Sequence, residues 1–135
     1  MLINYDLGTG RDEIIFKISH DEENDELIAE IKKCDVNYMD KTGRSYLYYA
    51  ALHHKVKLVE VLLERGADPN IIDDRGQTPL LCALGRKNSN NPKILELFLK
   101  AGVDLNNITN GKTLKEEIYE FQIEEYNAII NEWCS

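Results

Sequence analysis

"DDRGQTPLLCAL", residues 73–84, sets a polar turn, a glycine and a Thr-Pro step directly before an apolar run, and its reading decides the fold. Gly76 supplies the positive φ of a tight turn after the Asp-rich letters, and the Thr78 hydroxyl is placed to accept from the orphan N–H groups of a following helix. Pro79 falls at the first helical position, where its missing N–H costs nothing. The helix it opens (Leu80, Leu81, Cys82, Ala83, Leu84) is almost wholly apolar or small, so it must be buried on most sides.

The stretch has a second copy. Laying "DKTGRSYLYYAALHHKVKLVEVLLERGADPNII" from Asp40 over the segment from Asp73 aligns Gly43 with Gly76, Ser45 with Thr78, Leu47 with Leu80 and Ala50 with Ala83, at a period of 33 residues. The copies also end alike: "VEVLLERGADPN" against "LELFLKAGVDLN" puts Gly66 on Gly102, Asp68 on Asp104 and Asn70 on Asn106, with three extra residues in the second copy. Each copy reads as turn, helix, turn, helix. The second helices are expected over about Lys57 to Arg65 and Lys93 to Ala101, each closed by a glycine suited to a left-handed cap.

The pattern DxxGxTPLxxA followed by VxxLLxxGADxN, at this period over residues 40–106, resembles the ankyrin repeat. The resemblance implies an all-α solenoid of stacked helix-turn-helix units joined by β-hairpin-like turns. The first copy departs from the pattern: Ser45-Tyr46-Leu47-Tyr48 replaces Thr-Pro-Leu-His, and His54 stands where such repeats usually carry glycine between the helices. One domain over 1–135 is expected, with two full repeats at 35–106. Residues 1–34 would form an N-terminal cap, with "DEIIFKI" (12–18) and "DELIAEIKKCDVN" (25–37) as partial helices. Residues 107–135 would form a C-terminal cap. There "NGKTLKEEIYEFQIEEYNAIINEW" keeps the Gly-x-Thr of a repeat start at Gly111 and Thr113, then runs either as two helices with a joint near Gln122 or as one longer helix.

Composition narrows the function. The 135 residues carry a formal charge of -8, with nine acids against two bases in 1–31, seven against two in 101–135, and twelve bases against eight acids in 32–100. Acidic ends suit the polar outer face that terminal repeats need, and the overall charge argues against a nucleic-acid partner. Cys34, Cys82 and Cys134 are scattered and odd in number, so neither a disulfide framework nor a zinc site is indicated. No stretch reads as a signal peptide or a membrane span; the expected location is the cytoplasm, and no membrane partner is expected. "GTG" at Gly8–Gly10 lacks the rest of a phosphate cradle, His53 and His54 are adjacent and do not share a helix face, and Cys82 sits mid-helix with no histidine near it in the chain. No enzyme, metal or cofactor is expected.

A repeat fold offers surface instead. In proteins of this resemblance the turn tips and the exposed end of the first helix form a concave face that contacts partners. Carried over by position, this implies Met39, Lys41, Thr42, Arg44, Leu52 and His53 in the first copy, and Ile72, Asp74, Arg75, Gln77 and Arg86 in the second, with Tyr49 joining them. Arg44, Arg75 and Arg86 would make the face basic, ready for an acidic patch. The polar insertion "GRKNSNNP" (85–92) is a further candidate contact. The expectation is a protein-binding module, monomeric when free. Its most concrete form is an immunity-type inhibitor of a cognate bacterial toxin, the alternative an adaptor or secreted effector that recruits a host protein.

Overall fold

The computed structural model describes residues 11–134, so the reading of Gly8–Gly10 lies outside the described residues. Within them eight helices follow in order: α1 (Arg11–His20), α2 (Asp25–Lys32), α3 (Tyr46–Leu52), α4 (Val56–Glu64), α5 (Pro79–Leu84), α6 (Asn91–Lys100), α7 (Leu114–Glu120) and α8 (Glu124–Cys134). They pair as α1/α2, α3/α4, α5/α6 and α7/α8, and the pairs stack. First helices touch first helices (α1 to α3 to α5 to α7) and second helices touch second helices (α2 to α4 to α6 to α8), giving two layers. The core runs between the layers and between successive pairs, through Ile18, Ile31, Tyr46, Leu47, Leu58, Leu62, Leu80, Ile94, Leu95, Phe98, Ile118 and Ile130, all fully buried.

Local chemistry starts the helices where the periodic pattern put them. Ser45, Thr78 and Thr113 each cap a first helix, accepting from the N–H of Tyr48, Leu81 and Glu116. The Thr113 cap is completed by Glu116 reaching back to the Thr113 N–H, a reciprocal capping box. The Asp-x-Asn exits share one device: Asp35, Asp68 and Asp104 accept from the N–H two residues on, closing three equivalent turns. Asn70 links two of these turns, its Oδ1 accepting from the Asp104 N–H at 2.7 Å.

Gly43 holds a left-handed φ of +79° in contact with the next turn, where an added Cβ would touch the Asp73 Cα and the Asp74 nitrogen at 3.4 Å. The turn of one repeat thus presses on the turn of the next, and the Asp74 N–H donates to the Thr42 carbonyl at 3.0 Å. His54, standing in place of a glycine, holds φ +56°, and its Nε2–H donates to the Ala83 carbonyl at 2.9 Å in the neighbouring repeat.

The tail takes the two-helix form of the two expected, broken at Gln122 with φ +57°. One expectation changes. The polar insertion ends at residue 90, because Asn91 and Pro92 begin α6. Asn91 turns inward, fully buried, its Nδ2 donating to the Arg86 carbonyl at 2.7 Å and to Tyr126 Oη at 2.9 Å. Hairpin-like turns join the pairs as the resemblance implied, the Asp40 and Asp73 N–H groups donating to the Arg44 and Gln77 carbonyls, both at 3.0 Å. Asn110-Gly111 turns a two-stranded ladder of β1 (Ile108–Thr109) and β2 (Lys112–Thr113), whereas the earlier turn contributes the isolated bridge Met39–Ser45.

Candidate functional site

The first-helix layer and its turns enclose an open cleft of about 540 Å³. Arg44, Gly76 and Gln77 line it from the turns, Tyr48 and Leu52 from α3, Leu81 and Cys82 from α5. Gly85, Arg86, Asn110 and Glu117 complete the lining.

One buried carboxylate organises its wall. Asp73, its side chain wholly out of solvent, accepts through Oδ1 from the N–H groups of Arg75 and Gln77, both at 2.9 Å, and through Oδ2 from Arg44 Nε at 3.2 Å. Burial alone would raise the Asp73 carboxyl above the ordinary carboxylate range. The Gln77 and Arg75 N–H groups and the Arg44 guanidinium more than reverse it, so its pKa is lowered. Asp40 has the equivalent role in the preceding repeat: its Oδ1 accepts from Thr42 N–H, Thr42 Oγ1 and Arg44 N–H, and its Oδ2 from the Tyr49 hydroxyl. Burial, followed by the bond to Asp40, pushes the Tyr49 hydroxyl up to about 12.

The Arg44 guanidinium lies 4.9 Å from the Tyr48 ring centroid, a cation–π contact. Tyr48 Oη donates to Gln77 Oε1 at 3.2 Å and receives the Cys82 thiol at 3.2 Å. Burial pushes the Cys82 thiol up from its ordinary value, so it stays a protonated thiol. Thr109 Oγ1 anchors Glu117 at 2.7 Å. No group of three or more His, Cys, Asp or Glu side chains arranged to hold a metal occurs among the described residues.

The structure gathers four of the residues expected from sequence, Arg44, Leu52, Gln77 and Arg86, into this cleft. Met39 and Ile72 are exposed apolar side chains at equivalent positions just before the turns, and Lys41, Asp74 and Arg75 are exposed on the turn tips outside the cleft lining. His53 is half-buried at the end of α3, its pKa lowered by burial and then by Lys55 and Arg86. The expected role of Arg44 needs correction. Its guanidinium is held by Asp73 and stacked on Tyr48, so it builds the wall rather than waiting for an acidic partner. Thr42 and Tyr49 are likewise engaged with Asp40.

Tyr48, Leu81, Cys82, Asn110 and Glu117 escaped the sequence reading. The repeat period itself held a signal for two of them: 33 residues carry Tyr48 onto Leu81, and both line the cleft.

Comparison with known proteins agrees with this geometry. Residues 15–113 match the family model described as ankyrin repeats in three copies. The chain belongs to the ankyrin-repeat family. A protein of Acanthamoeba polyphaga mimivirus named for its ankyrin repeats, L271, is 34% identical over 118 residues, covering 82% of this chain and 16% of the relative. Ankyrin repeat protein OPG025 of monkeypox virus is 39% identical over 66 residues, covering 49% of this chain and 10% of the relative. The chain therefore spans less than a fifth of the length of these curated relatives. Among solved structures, an ankyrin repeat domain from Acinetobacter baumannii superposes with a TM-score of 0.73 at 22% identity, over 89% of this chain and 63% of that one, a likeness of fold. Ankyrin repeats generally mediate protein–protein interaction, and the ankyrin fold here is mostly helical. No helix among the described residues is long and apolar enough to cross a membrane.

Proposed function

We propose that this ankyrin-repeat chain is a non-enzymatic binding module whose turn-and-first-helix cleft receives a segment of a partner protein. The cleft carries the reading: about 540 Å³, lined by Leu52, Leu81 and Tyr48 together with the polar Gln77, Arg86, Asn110 and Glu117. Aromatic and arginine side chains set on a rigid frame are the groups that most often carry interface energy. Arg86 and Arg75, both exposed, would meet acidic groups of the partner, while Met39 and Ile72 add apolar contact at the turn tips. The division into two full repeats at 35–106 between caps at 1–34 and 107–135 belongs to the same proposal, as do action in the cytoplasm and a monomeric free state.

Between the two finer readings, an adaptor engaging a host protein has the better support, because the mimivirus and monkeypox relatives are ankyrin proteins of viruses. An immunity protein against a toxin finds no support among them. The test is charge reversal at Arg75 and Arg86 together, followed by capture of partners from the native host's lysate and identification by mass. Loss of a specific partner with an unchanged melting temperature supports the cleft; an identical set of captured proteins refutes it.

A further inference from the structure

The outward side of the second-helix layer differs in chemistry from the cleft. Between α6 and α8 runs an open groove of about 690 Å³, lined by Pro92 and Glu96 of α6 and by Glu125, Ala128, Ile129 and Trp133 of α8, with Glu132 beside them. The α8 residues recur at three- and four-residue steps and so share one stripe of the helix. A different stripe, Tyr126 and Ile130, is buried in the core. Helix α8 therefore carries a second stripe, on which Ile129 still packs partly against the core while Ala128 is exposed. Trp133, the single tryptophan of the chain, is 52% exposed there.

The rim of this groove is negative, and no basic residue is among its described lining. The smaller groove between α4 and α6 continues the character, with Glu60 and Glu64 around Leu63 and Leu97 and a lysine, Lys100, at its edge. The cleft on the other layer is lined instead by the exposed Arg86, by Arg44 paired with Asp73, and by Glu117.

We propose that the α6/α8 groove is a second docking surface, for a basic protein segment bearing aliphatic side chains. Its arginine or lysine side chains pair with Glu96 and Glu125 and lie over the Trp133 ring, while its aliphatic groups cover Ile129 and Ala128. The indole face is the strongest natural cation–π acceptor, and long basic side chains bring apolar stems as well as charge. The same carboxylates repel phosphate, so neither nucleic acid nor an anionic membrane is the occupant. With the cleft on the opposite layer, the chain could hold two proteins of different surface chemistry at once; the groove stands independently of the cleft reading.

Trp133 reports on its own site. The experiment titrates the full chain with a synthetic amphipathic peptide of leucine and arginine, and with its leucine–glutamate counterpart, following tryptophan emission. The expected result is a saturable emission change with the basic peptide alone, weakened about tenfold by E96Q/E125Q, a difference of about 1.4 kcal/mol. The control pair E22Q/E26Q removes the same charge at the other end of the stack and should leave affinity unchanged. Calorimetric titration of W133A should also show weaker binding at an unchanged melting temperature. An affinity indifferent to E96Q/E125Q, or reduced equally by E22Q/E26Q, overturns the proposal. So does an emission change with the chain's own concentration accompanied by a dimer mass, which would assign the groove to a second copy.

Discussion

Asp73 and Asp74 are neighbours with opposite fates, and replacing each by alanine separates the stacking account from a generic loss of charge. Asp73 is buried, accepting two backbone N–H groups at 2.9 Å and the Arg44 guanidinium at 3.2 Å, whereas Asp74 is exposed. Removing Asp73 strands the Arg75 and Gln77 N–H groups at the turn and leaves Arg44 without its carboxylate. A hydrogen bond to a charged acceptor is worth about 1.5–3 kcal/mol, and Arg44 remains partly open to water, so the loss should be about 3 kcal/mol. For a chain of this length that lowers the melting temperature by about 10 °C. Asp74→Ala should stay within about 0.5 kcal/mol of the parent. Asp73→Asn keeps an oxygen for the N–H groups and should fall between the two. Because folding lowers the Asp73 pKa, its contribution is present above the unfolded carboxylate value of about 3.9 and is lost as pH falls through the folded value. The gap between parent and Asp73→Asn should therefore close in acid. Thermal melts followed by circular dichroism across pH measure all of this. Equal melting temperatures for Asp73→Ala and Asp74→Ala would refute the reasoning.

Other substitutions probe separate regions of the frame by the same melts. Leu80→Asp places an unpaired charge at a fully buried position between repeats and should abolish cooperative folding; a helical variant with the parent's melting temperature would contradict the stacking. Gly43→Ala combines a left-handed backbone with the 3.4 Å approach to Asp73 and should cost about 1–2 kcal/mol. Gln122→Gly relieves a left-handed residue that is exposed between α7 and α8 and should stabilise by roughly 0.5–1 kcal/mol. Thr113→Ala removes the α7 capping box and should destabilise by about 1 kcal/mol.

The frame is legible in the sequence because backbone demands leave chemical signatures. Gly76, Thr78, Pro79 and Leu80 each answer a local requirement, and a 33-residue echo multiplies it. What escapes is set by contacts between repeats. Nothing in the letters around Arg44 says that its partner is Asp73, 29 positions away, so a structural arginine reads as a free one. Asn91 looks like the end of a polar loop because the pattern around it is polar; its burial depends on Tyr126, 35 positions on. Tyr48 reads as core, and it is buried, yet it also lines the cleft. The joint at Gln122 is ambiguous in the letters because a non-glycine residue holds the left-handed turn there.

Site-specific photocrosslinking tests the central claim most directly. A photoreactive residue placed at Gln77, in the cleft, and separately at Lys57, exposed on the second-helix layer and outside the cleft lining, would be irradiated in the native cell. The expected result is a discrete covalent adduct with a protein from Gln77 and none from Lys57. An adduct from Lys57 alone, or none from Gln77, would contradict the cleft as the binding surface.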